Sequence, residues 1–140
     1  KRGVKNLPEN AQLKALLGST YLQAGQKEEA EKIIQSLLAL GEKKEVFNYV
    51  GDIYRDASDI AKAEEYYNKS LALEPTQSEA YFGLASTYFN KGIDVLKEAD
   101  KVPLDDMTGA YDKLKNESFD YFRKAIPNYR KVLETKPKDF

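Results

Sequence analysis

The chain has 140 residues, enough for one domain with a real core, and its 22 Lys and Arg against 23 Asp and Glu leave a net charge of -1. There is no basic excess to neutralise phosphates and no apolar run long enough to cross a bilayer, so neither nucleic acid nor membrane insertion is expected. Neither Cys nor His occurs, which excludes disulfides, thiol chemistry, zinc sites built on those ligands and any mechanism with imidazole as the base.

Catalysis would therefore fall to carboxylates, Lys, Ser or Tyr. The chain opens at Lys1 with a polar stretch and no apolar core of a signal peptide, so a targeting signal, if the parent protein has one, is expected to lie outside it. From Ala11 the apolar spacing predicts a helix with Leu17, Gly18 and Tyr21 on one face. Gly25 marks a turn, and Ala30, Ile34 and Leu37 place a second helix after it. Gly41 suits a left-handed helix stop, and Gly41 to Lys44 form the link to the next pair.

In that pair Phe47, Val50, Gly51 and Tyr54 stand at i, i+3, i+4 and i+7, one face of a helix that must be buried. Arg55 to Asp59 supply a turn, with Ser58 or Asp59 able to cap the following helix. Ala63, Tyr67, Ser70 and Leu71 repeat the spacing until Pro75 stops it. Gly51 and Ala63 let the backbones approach while Phe47, Tyr54 and Tyr67 fill the space around them.

After Pro75, Thr76 to Ser78 are expected to cap a fifth helix carrying Tyr81, Leu84, Ala85 and Tyr88. A turn is due at Gly92, but Val95, Leu96, Ala99 and Val102 keep the stripe running, so the helix is expected to continue to about Lys101. Pro103 to Gly109 read as a loop. The return helix carries Tyr111, Leu114, Tyr121, Phe122, Ala125, Tyr129 and Val132, with Pro127 expected to kink it and Pro137 repeating Pro75. The expectation is an all-α chain of three antiparallel helix pairs. The third is lengthened by about 28 residues over a 34-residue period and stands roughly 20 Å beyond its neighbours at ~1.5 Å per residue.

Gly18, Gly51 and Ala85 recur at 33 and 34 residues, and with the positions above they resemble tetratricopeptide (TPR) repeats. The departures are Lys14, Leu37, Ser70, Ala85, Val132 and Glu42. The resemblance implies a single TPR domain over 1–140, a right-handed α-α superhelix (solenoid). Its repeats fall at about 11–44, 44–77 and 78–140, with an insertion at about 93–120. Both ends fall on repeat boundaries, which reads as a fragment of a longer array. The stretches KGIDVLKEADKVPLDD and FRKAIPNYRKVLETKP further resemble exported bacterial TPR proteins with a lengthened last hairpin, which favours a periplasmic over a cytoplasmic location.

What the family implies is a non-catalytic scaffold that receives a peptide or a partner helix in a concave groove lined by the first helix of each repeat. The positions opposite the buried stripe are Gln12, Ala15, Ser19 and Leu22, then Asn48, Asp52 and Arg55, then Phe82, Ser86 and Phe89. From these, Asn48, Asp52, Arg55, Phe82, Ser86 and Phe89 are the expected partner contacts. The family's carboxylate clamp would need Lys and Asn where Ala15 and Ser19 stand, so a chaperone tail is not the expected ligand.

Duller readings stand beside these. Asp52 and Arg55 could be a solvated helix pair, and Phe82 and Phe89 could be core. Glu28–Glu29 and Glu64–Glu65 point about 100° apart on their helices and do not converge. Asp105 and Asp106 lack the alternating acidic spacing of a calcium loop and read as a solvated cap. Asn68 and Asn116 match the glycosylation pattern but fall in predicted helices. No catalytic residue, metal site or cofactor is expected. The alternative to groove binding is an assembly module that meets a partner, or a second subunit, through the long hairpin from Ile93 to Tyr121, with Val102, Leu104 and Tyr111 near its tip.

Overall fold

The computed structural model describes residues 10–135; the polar stretch that opens the chain at Lys1 and the expectation for Pro137 lie outside them. Six α-helices make up the described chain: α1 (Ala11–Gln23), α2 (Lys27–Leu38), α3 (Lys44–Asp56), α4 (Ile60–Leu73), α5 (Ser78–Asp100) and α6 (Ala110–Thr135). They form three pairs, α1 with α2, α3 with α4 and α5 with α6. Each pair stacks on the previous one through α3 on α1 and α2, and through α5 on α3 and α4.

The turns follow local chemistry. Gly25 (φ 80°) and Gly41 (φ 111°) take the left-handed conformation, which costs a glycine little. Ser58 does the same without that freedom (φ 62°), and Asp59, not Ser58, caps α4 by accepting from the Lys62 amide at 3.2 Å. The cap expected from Thr76 to Ser78 does not form. Gln77 holds the capping position without a cap bond, because its side chain is turned inward and is 3% exposed.

Two buried clusters form the core. Ala11, Ala15, Ile34, Leu37, Val46, Val50 and Ile53 join the first two pairs, and Ala63, Tyr67, Ala80 and Leu84 join the second to the third. Leu17, placed by its spacing on the buried face of α1, is 43% exposed. In later pairs that face is covered by the preceding pair, which α1 has no counterpart of among the described residues.

The hairpin of α5 and α6 is long, as its spacing predicts, with the loop at residues 101–109. Gly92 does not turn the chain; it brings the two helices together. A Cβ there would lie 2.6 Å from the Phe122 ring, and the buried Ser118 hydroxyl donates to the Gly92 carbonyl at 2.9 Å. Pro127 stands inside α6, which runs through it. It is exposed, so the carbonyl left without an amide donor at Arg123 faces solvent rather than core.

Candidate functional site

The polar face of α3 is built inward. The Tyr67 hydroxyl donates to Asp52 Oδ1, and the Arg55 guanidinium reaches Asp52 at 3.3 Å and Asp56 at 3.1 Å. Burial raises the Asp52 carboxyl above its ordinary value, opposed by the Tyr67 hydrogen bond and the charge of Arg55. Burial and the neighbouring Asp52 charge likewise push Tyr67 well above the usual phenol range. The solvated Asp52–Arg55 pair allowed by the sequence is thus half-buried and tied to the core through a residue 15 positions away. The signal that could have found it is a hydroxyl at Tyr67 in a stripe where Phe would pack as well.

Asn48 is engaged too. Its Nδ2 donates to Gln77 Oε1 at 2.9 Å, and Gln77 Nε2 donates to the Ser70 carbonyl at 3.0 Å and to Ser70 Oγ at 2.8 Å. Ser70 Oγ donates in turn to the Lys44 carbonyl at 3.1 Å. Serine in place of alanine at position 70 therefore serves this chain of bonds, which stitches α3, α4 and the start of α5. Asn48 Oδ1 is buried without a partner among the described residues.

The other expected groove residues divide. Ala15 and Ser19 are each 6% exposed and lie under α3, not in an open groove. Phe82 is 52% exposed and sits edge-on to Tyr129 of α6, ring centroids 6.1 Å apart. Phe89 is 43% exposed and tilts against Phe122 at 5.4 Å. Ser86, between them on α5, is half-buried.

Only Arg55 and Phe89 of the six line a common open cleft. Its volume is about 470 Å³, and Gln23 of α1, Asp56 and Ser58 after α3, and Asn90, Ile93, Asp94 and Lys97 of α5 complete its wall. Gln23 Nε2 donates to the Asp56 carbonyl at 2.8 Å, which fixes the α1 side. Lys97 forms no ion pair among the described residues, whereas Arg55 is occupied twice. The cleft offers an aromatic ring, an aliphatic side chain and a free cation beside two carboxylates.

Two further surfaces escaped the sequence reading in whole or part. Tyr66 stacks on Tyr54 (5.9 Å) and meets Phe47 (6.2 Å), with Lys69 over Phe47 and Tyr66 and Lys62 over Tyr54. Burial pushes Tyr54 up to about 12. At the hairpin tip Leu104 and Met107 are fully or nearly fully exposed. Val102, Pro103, Leu104 and Tyr111 line an adjoining cleft of about 400 Å³. Asp106 accepts from the Thr108 amide and hydroxyl, and Thr108 Oγ1 accepts from the Ala110 amide at the start of α6. Its carboxyl is held below the ordinary value by that hydroxyl bond. No three acidic side chains gather as a metal site would require among the described residues. No helix there is long and apolar enough to cross a membrane.

Comparison with known proteins agrees with the first two helix pairs. Tetratricopeptide repeat models match residues 13–45, 46–77 and 66–98. The human antiviral innate immune response effector IFIT1 is 27% identical over 138 residues, 98% of this chain and 27% of that protein. The Macaca fascicularis protein of the same name is 28% identical over 131 residues, 93% of this chain and 26% of that protein. Human protein O-mannosyl-transferase TMTC1 is 28% identical over 131 residues, 88% of this chain and 15% of that protein. The chain spans about a quarter of the length of the IFIT1 relatives and less of TMTC1. With repeat matches running from residue 13 to residue 98, the first two each covering one helix pair and the third joining the end of α4 to α5, the chain belongs to the tetratricopeptide repeat family.

Proposed function

We propose that this chain is a non-catalytic scaffold that binds an extended peptide segment of a partner protein in the cleft between the ends of α1 and α3 and the middle of α5. Tetratricopeptide repeats generally mediate protein–protein interaction without catalysis, and the choice of surface rests on one observation. Phe89 leaves 43% of its area in solvent beside Lys97, which forms no ion pair among the described residues. A large apolar side chain next to a free cation in a concavity suits a peptide with an apolar residue followed by a carboxylate.

Asp52, held by Tyr67, braces the Arg55 that lines this cleft, whereas Asn48 is bonded to Gln77 at the other end of α3 and does not line it. Arg55 lines the wall but is held by Asp52 and Asp56, so it orients more than it recruits. The test is selection from a random peptide library, followed by amide chemical-shift mapping with a selected peptide. Shifts gathered at Arg55, Phe89, Ile93 and Lys97, and at least tenfold weaker binding by Phe89→Ala with unchanged helicity, are expected. Shifts that gather elsewhere refute the placement.

A second reading has its own observation. Leu104 and Met107 at the hairpin tip are exposed almost completely, which suits insertion into an apolar pocket of another protein or subunit. A Leu104→Ser, Met107→Ser variant that loses a partner retained by Phe89→Ala would favour the tip over the cleft. A membership in longer repeat arrays and an exported location remain proposals of the same kind, drawn from the resemblances above.

A further inference from the structure

The hairpin tip is a bonded turn. The Asp106 amide donates to the Pro103 carbonyl at 3.1 Å, the Asp106 carboxylate accepts from the Thr108 amide and hydroxyl, and Gly109 takes the left-handed conformation (φ 82°) just before α6. These bonds spend Asp106 on the turn itself and leave Leu104 and Met107 almost wholly in solvent. Asp105 is exposed and, unlike Asp106, takes no part in the turn, so its carboxylate is without a partner among the described residues. The tip thus presents an apolar side chain followed by an unspent carboxylate, Leu104 and Asp105, with a second apolar side chain at Met107.

The cleft between α1, α3 and α5 presents the complement. Phe89 and Ile93 supply its apolar wall and Lys97 its free cation, while Arg55 is held by Asp52 and Asp56. One chain does not fill its own cleft. The stretch of α5 from Ile93 to Asp100 is unbroken helix, which at about 1.5 Å per residue sets the tip roughly 10 Å beyond Ile93, and no tip residue lines the cleft. Both surfaces are made wholly of residues between Gln23 and Tyr111, so each is complete within one copy and the match is made between copies.

We infer that the hairpin tip of a second copy of this chain occupies the cleft, its Leu104 and Met107 packing on Phe89 and Ile93 while its Asp105 meets Lys97; this rests on the cleft's taking a peptide and names the segment it takes. Withdrawing two exposed apolar side chains from water supplies the driving force. The pairing of Asp105 with Lys97 fixes which end of the tip goes where, as a charge pair at the rim of a contact does. A single turn buries little area, so the association is weak, with a dissociation constant on the order of 0.1–1 mM. Self-association and capture of another protein's peptide exclude each other, because both need Phe89 and Lys97.

The test is sedimentation velocity of the whole chain from about 10 µM to about 1 mM, where wild type is expected to associate. Lys97→Glu and Asp105→Lys each set like charges against one another and should weaken association about tenfold. Both side chains are exposed, so helicity and melting temperature should hold. The two substitutions combined in one chain exchange the charges and should restore association to within about threefold of wild type. A library-selected peptide that maps to Phe89 should dissociate the assembly. A wild type that stays monomeric while such a peptide binds at Phe89 overturns the inference and leaves the cleft as a peptide site. An assembly that the single variants leave unchanged, that the double variant does not restore, or that the bound peptide does not displace overturns it equally. Selected peptides that map away from the cleft overturn both readings together.

Discussion

The ring of Tyr67 occupies the space where Gly83 would carry a side chain: a Cβ on Gly83 would lie 2.3 Å from Tyr67 Cε1 and 2.4 Å from Cζ. The same ring is 2.8 Å from the Cβ position of Gly51. One tyrosine of α4 is thus held between two glycines, one in its own pair and one in the next. Its hydroxyl is committed to Asp52, so it cannot slide out of the way.

Gly83→Ala should therefore destabilise the chain although alanine is the better helix former. The propensity gain is about 1 kcal/mol, and forcing a methyl into a fixed ring costs about 1–3 kcal/mol; with a ring that cannot move the cost lies at the upper end, so a net loss of up to about 2 kcal/mol is expected. Gly92→Ala makes a useful contrast. Its Cβ would also crowd a ring, at 2.6 Å from Phe122, but Phe122 is half-exposed and can swing toward solvent. Urea unfolding should show the second variant within about 1 kcal/mol of wild type. Equal losses at both sites would refute the idea that Tyr67 is locked.

Gln77→Ala removes the centre of the bonds among Asn48, Ser70 and Glu74. The lost groups are buried or half-buried, and Asn48, which already has an unpaired Oδ1, would lose its Nδ2 partner as well. A loss of about 1–3 kcal/mol in urea unfolding is expected. Local amide exchange should rise first at the α4–α5 junction. A variant as stable as wild type would mean that water replaces the glutamine.

The Asp52 carboxyl gives a pH dependence with a definite sign. Burial raises its folded-state value above the ordinary 3.8, so the folded chain binds the proton more tightly than the unfolded one. Its contribution is fully present below about pH 4 and is lost as pH rises through the raised value. Asp52→Asn keeps the shape and an acceptor for Tyr67 but does not titrate. Its stability relative to wild type should therefore increase from about pH 4 upward and then level off. Chemical unfolding of both proteins at a series of pH values measures this. A difference that stays flat, or runs the other way, would show that the pull of Tyr67 and Arg55 outweighs burial.

Much of the fold was legible because it is written in local spacing. The stripe Phe47, Val50, Gly51 and Tyr54, its copies 33 and 34 residues away, and the unbroken run from Leu84 to Val102 each follow from the helical period. That period acts on neighbours in the chain and needs no knowledge of the rest. Left-handed turns at Gly25 and Gly41 are legible for the same reason. Ser118 could have been found as well, four residues after Leu114 in the stripe of α6.

The candidate site was less legible, because facing away from a stripe is not the same as facing solvent. Ala15 and Ser19 stand opposite the stripe of α1 and are buried all the same, since a stacked helix is covered from more than one side. Asp52 reads as a surface carboxylate until Tyr67 is brought over it from the next helix.

The sequence by itself determined the helices and their turns, whose period and turn chemistry act within one or two turns of helix, and through the short turns and the unbroken stripe of α5 it implied their pairing and the lengthened third hairpin. Only the tertiary structure decided which polar side chains are spent inside, which cleft stays open at Phe89 and Lys97, and which apolar side chains stay uncovered at Leu104 and Met107. Those depend on the positions of helices far apart in the chain, and a side chain's burial is set by whatever helix comes to lie on it.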